Sequence, residues 1–486
     1  MGQNLPRSAS GLLRLLERKD MSARDLALHF LETIDSVNGP INAVVALDAE
    51  STLAEADRAD MARARHVAGA LCGLPVTVKD CIDVVGYPCT GGSFARKDFR
   101  PDEDSTAVRR LRQAGAVVLG KTNCAEYLAS YETHNAIHGR TNHPLDTART
   151  PGGSSGGEGA IIAAGGSPAG LGTDGGGSIR VPAHYCGLAG LRPTIGRVPE
   201  TGCWPGTRST GLLDVHTFGP IAHSAADLFL MLSAIQGPDG ADPFAAPVSL
   251  PDWTQVKVAD LRVGYFVHDW LTSVTRATAA TVEKAARLMS EHGCVVSEAP
   301  PPTIVSEATD LFFAAIGADG GSRMRADLQA SGGRHHEHLA LLLAGLSESP
   351  PAAHYFRLLD RIHAYRRELR AYFSAYDIVI SPVTTGPAPR HGEPPGNLPV
   401  SDFFKFEAFN YTHLVSLAGV PSVVVPVGRE GGLPLGVQVT ARPFDDHVAI
   451  AAAAFLEETA LRSPEPGSPP ILAEGGAAAE SPSSVL

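Results

Sequence analysis

Lysine is scarce in this chain. Seven lysines stand against 33 arginines among 486 residues, so a lysine closing an apolar run needs a reason. Cysteine is sparse as well. The seven thiols, at 72, 81, 89, 124, 186, 203 and 294, are irregularly spaced and include no C-x-x-C pair. That excludes a legible zinc or redox motif and fits reduced thiols in a cytoplasmic protein. Positive charge is in deficit: the formal net charge is −12, which repels phosphate backbones and argues against a nucleic-acid partner. No stretch reaches the ~18 uninterrupted apolar residues of a membrane span. The N-terminal residues have no apolar core of signal-peptide length, and Pro6 stands where a myristoylation signal needs Ser or Thr. What is present is core material: hydrophobic residues are 44% and charged residues 19%, which excludes global disorder. The expectation is a soluble cytoplasmic protein.

The patterning alternates helix and strand. Residues 10–36 read as two helices, with Ser22-Ala-Arg-Asp25 as a capping box and Leu26, Leu28, Phe30, Leu31 and Ile34 near helical period. A helix over 49–67 precedes a strand at Leu74–Lys79. Asp104 is the expected N-cap of a helix that Gly115 stops, and Ala116–Leu119 follows as a strand. Later units pair helix 278–292 with Cys294-Val-Val and helix 352–376 with Asp377–Ser381. Strands at 421–427 and 434–440 and a helix at 445–460 complete the pattern. Such alternation predicts an α/β fold with one large, mixed, mostly parallel twisted sheet flanked by helices on both faces. Residues 236–258 read as a surface connection. Residues 1–462 are expected to be one catalytic domain, and the Pro/Gly/Ala-rich 463–486 a disordered tail.

The most unusual chemistry lies in Pro151-Gly-Gly-Ser-Ser-Gly-Gly-Glu-Gly159 and Gly172-Thr-Asp-Gly-Gly-Gly-Ser-Ile-Arg180. Gly/Ser runs are often linkers, but the segment between these two is small and apolar, as linkers seldom are. Backbone without Cβ atoms can approach a ligand and aim several N–H groups at it, so Gly175-Gly-Gly-Ser178 can cradle an oxyanion beside a hydroxyl. The missing part is a base. Lys79 closes an apolar strand, where it is either an ion-paired lysine beside Asp80 or a desolvated amine able to act near neutrality.

These pieces together resemble the amidase-signature family. The resemblance rests on Lys79-Asp80, Gly152-Gly-Ser-Ser-Gly-Gly157, Gly172–Arg180, Gly190-Leu-Arg-Pro-Thr194, Gly219-Pro220, Ser381-Pro382, Ala418-Gly-Val-Pro421 and Gly432-Leu-Pro-Leu-Gly436. It spans roughly residues 10–460 in order. It implies Ser178 as nucleophile, Ser154 (24 residues earlier) as bridging serine on a cis peptide, and Lys79 as base. It implies oxyanion donors from Gly175, Gly176, Gly177 and Ser178, and support from Ser155. Gly175 departs from the family, whose members usually carry a side chain there. The implied reaction is acyl transfer from an amide, or from a carbamate, to Ser178 and then to water. No cofactor or metal is implied. The expected partner is a small-molecule substrate, and the working unit a monomer or homodimer. The competing reading is the glutaminase subunit of a tRNA-dependent amidotransferase, but the Gly-Gly-Glu158-Gly-Ala version of the motif fits general amidases better.

Other features need weighing. Gly115-Ala-Val-Val-Leu-Gly-Lys-Thr122 matches a phosphate-loop pattern, yet its middle is itself strand-like and a helix precedes it. Gly152-Gly-Ser-Ser-Gly156 matches a nucleophile elbow but follows a proline-containing loop where a strand is required. His335, His336 and His338 around Glu337 invite a metal, though the glycines before them suggest an exposed helix start. Asp174 and Arg180 are expected to brace the nucleophile loop as an ion pair. Tyr131, Cys203, Trp204, Phe312 and Phe313 are candidate pocket walls.

Overall fold

A computed structural model describes residues 5–206, 215–346, 351–396 and 406–462. The expected tail at 463–486 lies outside them. The strands are β1 Val44–Leu47, β2 Pro75–Lys79, β3 Val117–Thr122, the short β4 His134–Asn135 and β5 Gly139–Arg140, β6 Ala169–Asp174 and β7 Ala189–Arg192. They continue with β8 Thr217–Ala222, β9 Arg262–Tyr265, β10 Val295–Glu298, β11 Ile378–Pro382, β12 Ser422–Glu430 and β13 Leu433–Ala441. Eleven form one sheet in the order β1-β3-β2-β6-β8-β7-β12-β13-β11-β9-β10. Pairing is parallel for β3-β2-β6 and for β11-β9-β10, and antiparallel through the middle. The chain is thus a single α/β domain on a mixed sheet with helices packed against it.

Local chemistry explains the elements. Val423, Val424, Val425 and Val427 are fully buried, as a strand covered on both faces requires. Pro426 lacks the ladder N–H, and the β12–β13 register shifts between Pro426 and Gly428. Gly431 and Gly432, at φ 57° and 83°, make the two-residue turn joining these strands. The Ser22 hydroxyl caps helix Ala23–Ile41 by accepting from the Asp25 N–H at 2.9 Å. The Asp104 expectation fails by one residue. Ser105 caps helix Thr106–Gln113, while Asp104 accepts from the Val85 N–H and from Arg112.

Helices Arg276–Glu291 and Asp446–Arg462 pack on β12 and β13, as does the short helix Arg180–Cys186. A smaller apolar cluster is built by helices Ala308–Ile316, Ala352–Ser374 and Asn410–Ala418. Because β2, β3 and β6 run in parallel, their C-terminal ends meet at one rim, the usual place for a site in such sheets. Lys79, Thr122, Thr173 and Asp174 stand on that rim. Among the described residues, no helix is long and apolar enough to cross a membrane.

Candidate active site

Lys79 is fully buried. Its Nζ lies 2.7 Å from Ser154 Oγ and 2.9 Å from Thr173 Oγ1. Ser154 follows a cis peptide after Gly153 and stands just before helix Gly156–Ala163. That helix sits so close to the β3 rim that a Cβ on Gly157 would fall 2.5 Å from the Asn123 backbone. Ser155 ties the two glycine segments together: its N–H donates to the Ser178 carbonyl at 3.1 Å and its hydroxyl to the Thr173 carbonyl at 3.2 Å.

The loop after β6 is braced from within. Gly177 adopts φ 128°, and a Cβ there would strike Thr412. Asp174 and Arg180 form the expected ion pair, with Nε–Oδ2 at 3.0 Å, and Arg192 adds a contact to Oδ1 at 3.4 Å. Burial alone would raise the Asp174 carboxyl, but Arg180 and then Arg192 hold it well below the ordinary range. Asp174 also takes the N–H of Gly177 at 2.8 Å. This corrects one expectation, because that N–H is directed at Asp174 and is not free for an oxyanion. The N–H groups of Gly175, Gly176 and Ser178 have no acceptor among the described residues. Gly175 stands in open space, with only His216 within 4 Å of an added Cβ.

Ser154, Thr173, Gly175, Gly176 and Ser178 share a cavity of about 110 Å³ with Tyr131, Phe312, Phe313, Ile316, Met324 and Phe406. Its walls are chiefly apolar. Ser178 itself is 8% exposed. Cys203 and Trp204 do not line this cavity. Trp204 is packed against Tyr127 with ring centroids 4.6 Å apart, and only its neighbour Pro205 reaches the cavity. Cys203 is held by a bridge to Ile82.

The decoys resolve. Lys121 is buried and taken up by backbone, donating to the carbonyls of Asp80, Ile82 and Pro88. The histidines begin helix Glu337–Ala344, and no metal-holding group exists among the described residues.

Sequence reasoning passes over several residues here. Thr173 shares Lys79 with Ser154. Arg192 is visible in the Gly190-Leu-Arg run, but its partner is not. Glu158 is buried beneath the lysine, taking the hydroxyls of Thr77 at 2.6 Å and Thr122 at 2.8 Å. Burial pushes its carboxyl up to about 7 against those donors.

A pocket that holds two serines and a glycine loop, with a buried lysine against one of the serines, invites comparison with known hydrolases. The Amidase family model matches residues 25–449. The chain belongs to the amidase family. A glutamyl-tRNA(Gln) amidotransferase subunit from Moorella thermoacetica (strain ATCC 39073 / JCM 9320) is 32% identical to this amidase, over 95% of its chain and 98% of the relative. AtzE, the 1-carboxybiuret hydrolase subunit from Pseudomonas sp. (strain ADP), is 34% identical, over 90% and 96%. Among solved structures, a bacterial aryl acylamidase of the amidase-signature family superposes with a TM-score of 0.83 at 25% identity, covering 93% of this chain and 96% of that one.

Proposed function

We propose that this amidase hydrolyses the C–N bond of a linear amide or carbamate through an acyl-enzyme on Ser178. The observation that carries the reading is the 2.7 Å contact of Lys79 Nζ with Ser154 Oγ in the pocket that also holds Ser178. As the base, Lys79 accepts the Ser154 proton while Ser154 takes that of Ser178, which attacks the carbonyl carbon. The N–H groups of Gly175, Gly176 and Ser178 receive the negative oxygen. The proton returns along the same path to the leaving nitrogen, and water then cleaves the ester. Walls that are chiefly apolar favour an alkyl or aryl group beside the carbonyl, with Asp319 and Arg323 also on the lining. The expected working unit is a monomer or homodimer in the cytoplasm, without a cofactor.

Ser178→Ala is expected to abolish both hydrolysis and labelling by a fluorophosphonate probe. Lys79→Ala is expected to slow both by about 10³-fold or more, as for loss of a base from a coupled catalytic set. Unchanged turnover in either variant overturns the assignment. A screen over aryl amides, fatty amides, amino-acid amides and carbamates would assign the substrate.

The similarity to a glutamyl-tRNA(Gln) amidotransferase component favours a second reading, a glutaminase that works only in a complex. Gel filtration followed by assay on a simple aryl amide separates the two: activity in the isolated chain rules out an obligate complex.

A further inference from the structure

Tyr131 does more than wall the pocket. Its hydroxyl donates to the Gly176 carbonyl at 2.7 Å and lies 2.6 Å from His413 Nε2. At the other end of the imidazole, Nδ1 is 2.9 Å from Thr309 Oγ1. Thr309 in turn donates to Asn410 Oδ1, from its N–H at 3.0 Å and from its hydroxyl at 2.9 Å. This chain joins helices Ala308–Ile316 and Asn410–Ala418 to the glycine loop.

The Gly176 carbonyl can only accept, so at 2.7 Å the single phenolic proton serves that bond. The Thr309 hydroxyl also has one proton, and both the acceptor-only Asn410 Oδ1 and His413 Nδ1 lie 2.9 Å from it. Burial, with Arg180 nearby, takes His413 down to about 3, so the imidazole stays neutral across the working range.

The consequence falls on one peptide unit. The bond joining Gly176 to Gly177 has its carbonyl held by Tyr131 and its N–H held by Asp174 Oδ1 at 2.8 Å. A peptide unit is planar, so holding both ends fixes its rotation. Three successive glycines have no Cβ to limit that rotation themselves. The flanking N–H groups of Gly176 and Ser178 inherit their directions from this grip.

We infer that Tyr131 is a positioning residue for the oxyanion cradle, with His413 and Thr309 as its supports. The inference rests on Ser178 being the nucleophile. Removing the hydroxyl alone is a clean test, because the Tyr131 ring also stacks on Phe409 at 3.7 Å between centroids. Tyr131→Phe is therefore expected to keep KM and the melting temperature near wild type while kcat falls about 10- to 100-fold, at or below the loss for deleting a donor itself. The inhibition constant of a trifluoromethyl ketone, whose serine adduct places an oxyanion in the cradle, should rise by the same factor. The loss should not vary between pH 6 and 9.

Unchanged kcat and inhibition constant in folded Tyr131→Phe overturn the inference, as does a raised KM with kcat intact. Should that variant not fold, His413→Gln decides. A weaker ketone complex at unchanged KM supports the inference, and an unaltered one refutes it. Fluorophosphonate labelling of wild type and Ser178→Ala tests the nucleophile separately, so the two failures are distinguishable.

Discussion

Asp174→Asn is the most searching perturbation of the site's frame. The side chain keeps its volume and loses its charge, while Arg180 and Arg192 remain fully buried. The asparagine amide can still accept from one N–H, but its NH₂ group now faces guanidinium donors. Breaking a buried ion pair from one side costs about 3–5 kcal/mol. The guanidinium of Arg180 keeps Gln438 Oε1 at 3.1 Å, the Thr412 carbonyl at 3.0 Å and Ser416 Oγ at 2.8 Å, and Arg192 keeps the Ser416 carbonyl at 3.3 Å. The lower end, about 3 kcal/mol, is therefore expected, a large share of the ~5–15 kcal/mol of a folded domain. Urea unfolding at pH 7, followed by circular dichroism, measures it. The sign with pH follows from the depressed carboxyl: its stabilisation is present above the unfolded value of ~3.9 and is lost as pH falls toward the folded value. The gap between wild type and variant should accordingly narrow in acid. A variant within about 1 kcal/mol of wild type at pH 7 would refute the reasoning, since a buried pair of this geometry cannot be broken so cheaply.

Two further outcomes follow from the same geometry. Glu158 ionises near 7 when folded and near ~4.3 unfolded, so the unfolded chain ionises first and stability falls as pH rises between those values. The fall is roughly 4 kcal/mol in all, and Glu158→Gln should remove that slope from urea midpoints measured between pH 5 and 8; an unaltered slope assigns the titration elsewhere. Gly175→Ala, which meets only His216 at 3.7 Å, should leave stability and kcat nearly unchanged. Gly176→Ala should lose most activity in steady-state assays, because its Cβ would fall 2.6 Å from Phe312 and 2.8 Å from the Tyr131 hydroxyl.

The parts legible in the sequence are those that local chemistry writes. Ser22 announces its helix because a hydroxyl before an apolar period satisfies a free N–H. Lys79 stands out because ammonium groups seldom close apolar strands. Asp104 misleads because Ser105 beside it has the same capping chemistry, while Asp104 is taken up by Arg112 and the Val85 N–H. Trp204 resembles a wall because an aromatic near a motif looks functional, whereas packing against Tyr127 takes it into the core. The Tyr131–His413–Thr309 chain is out of reach, since its members come from three separate segments and share no motif. Which N–H of the glycine loop faces inward is likewise a property of backbone rotation that no residue type records.

The hairpin β12–β13 has a consequence for how the polypeptide is made. These strands come from the last quarter of the chain, yet they stand between β7 and β11. A nascent chain that ends before Ser422 has two incomplete sheet fragments whose facing edges are unpaired, and such edges attract other chains. Arg180 meanwhile waits for Gln438, 258 residues further on. The sheet cannot close until the chain has been made as far as Ala441, so truncation before Ser422 removes the keystone of the sheet, whatever it leaves of the motifs.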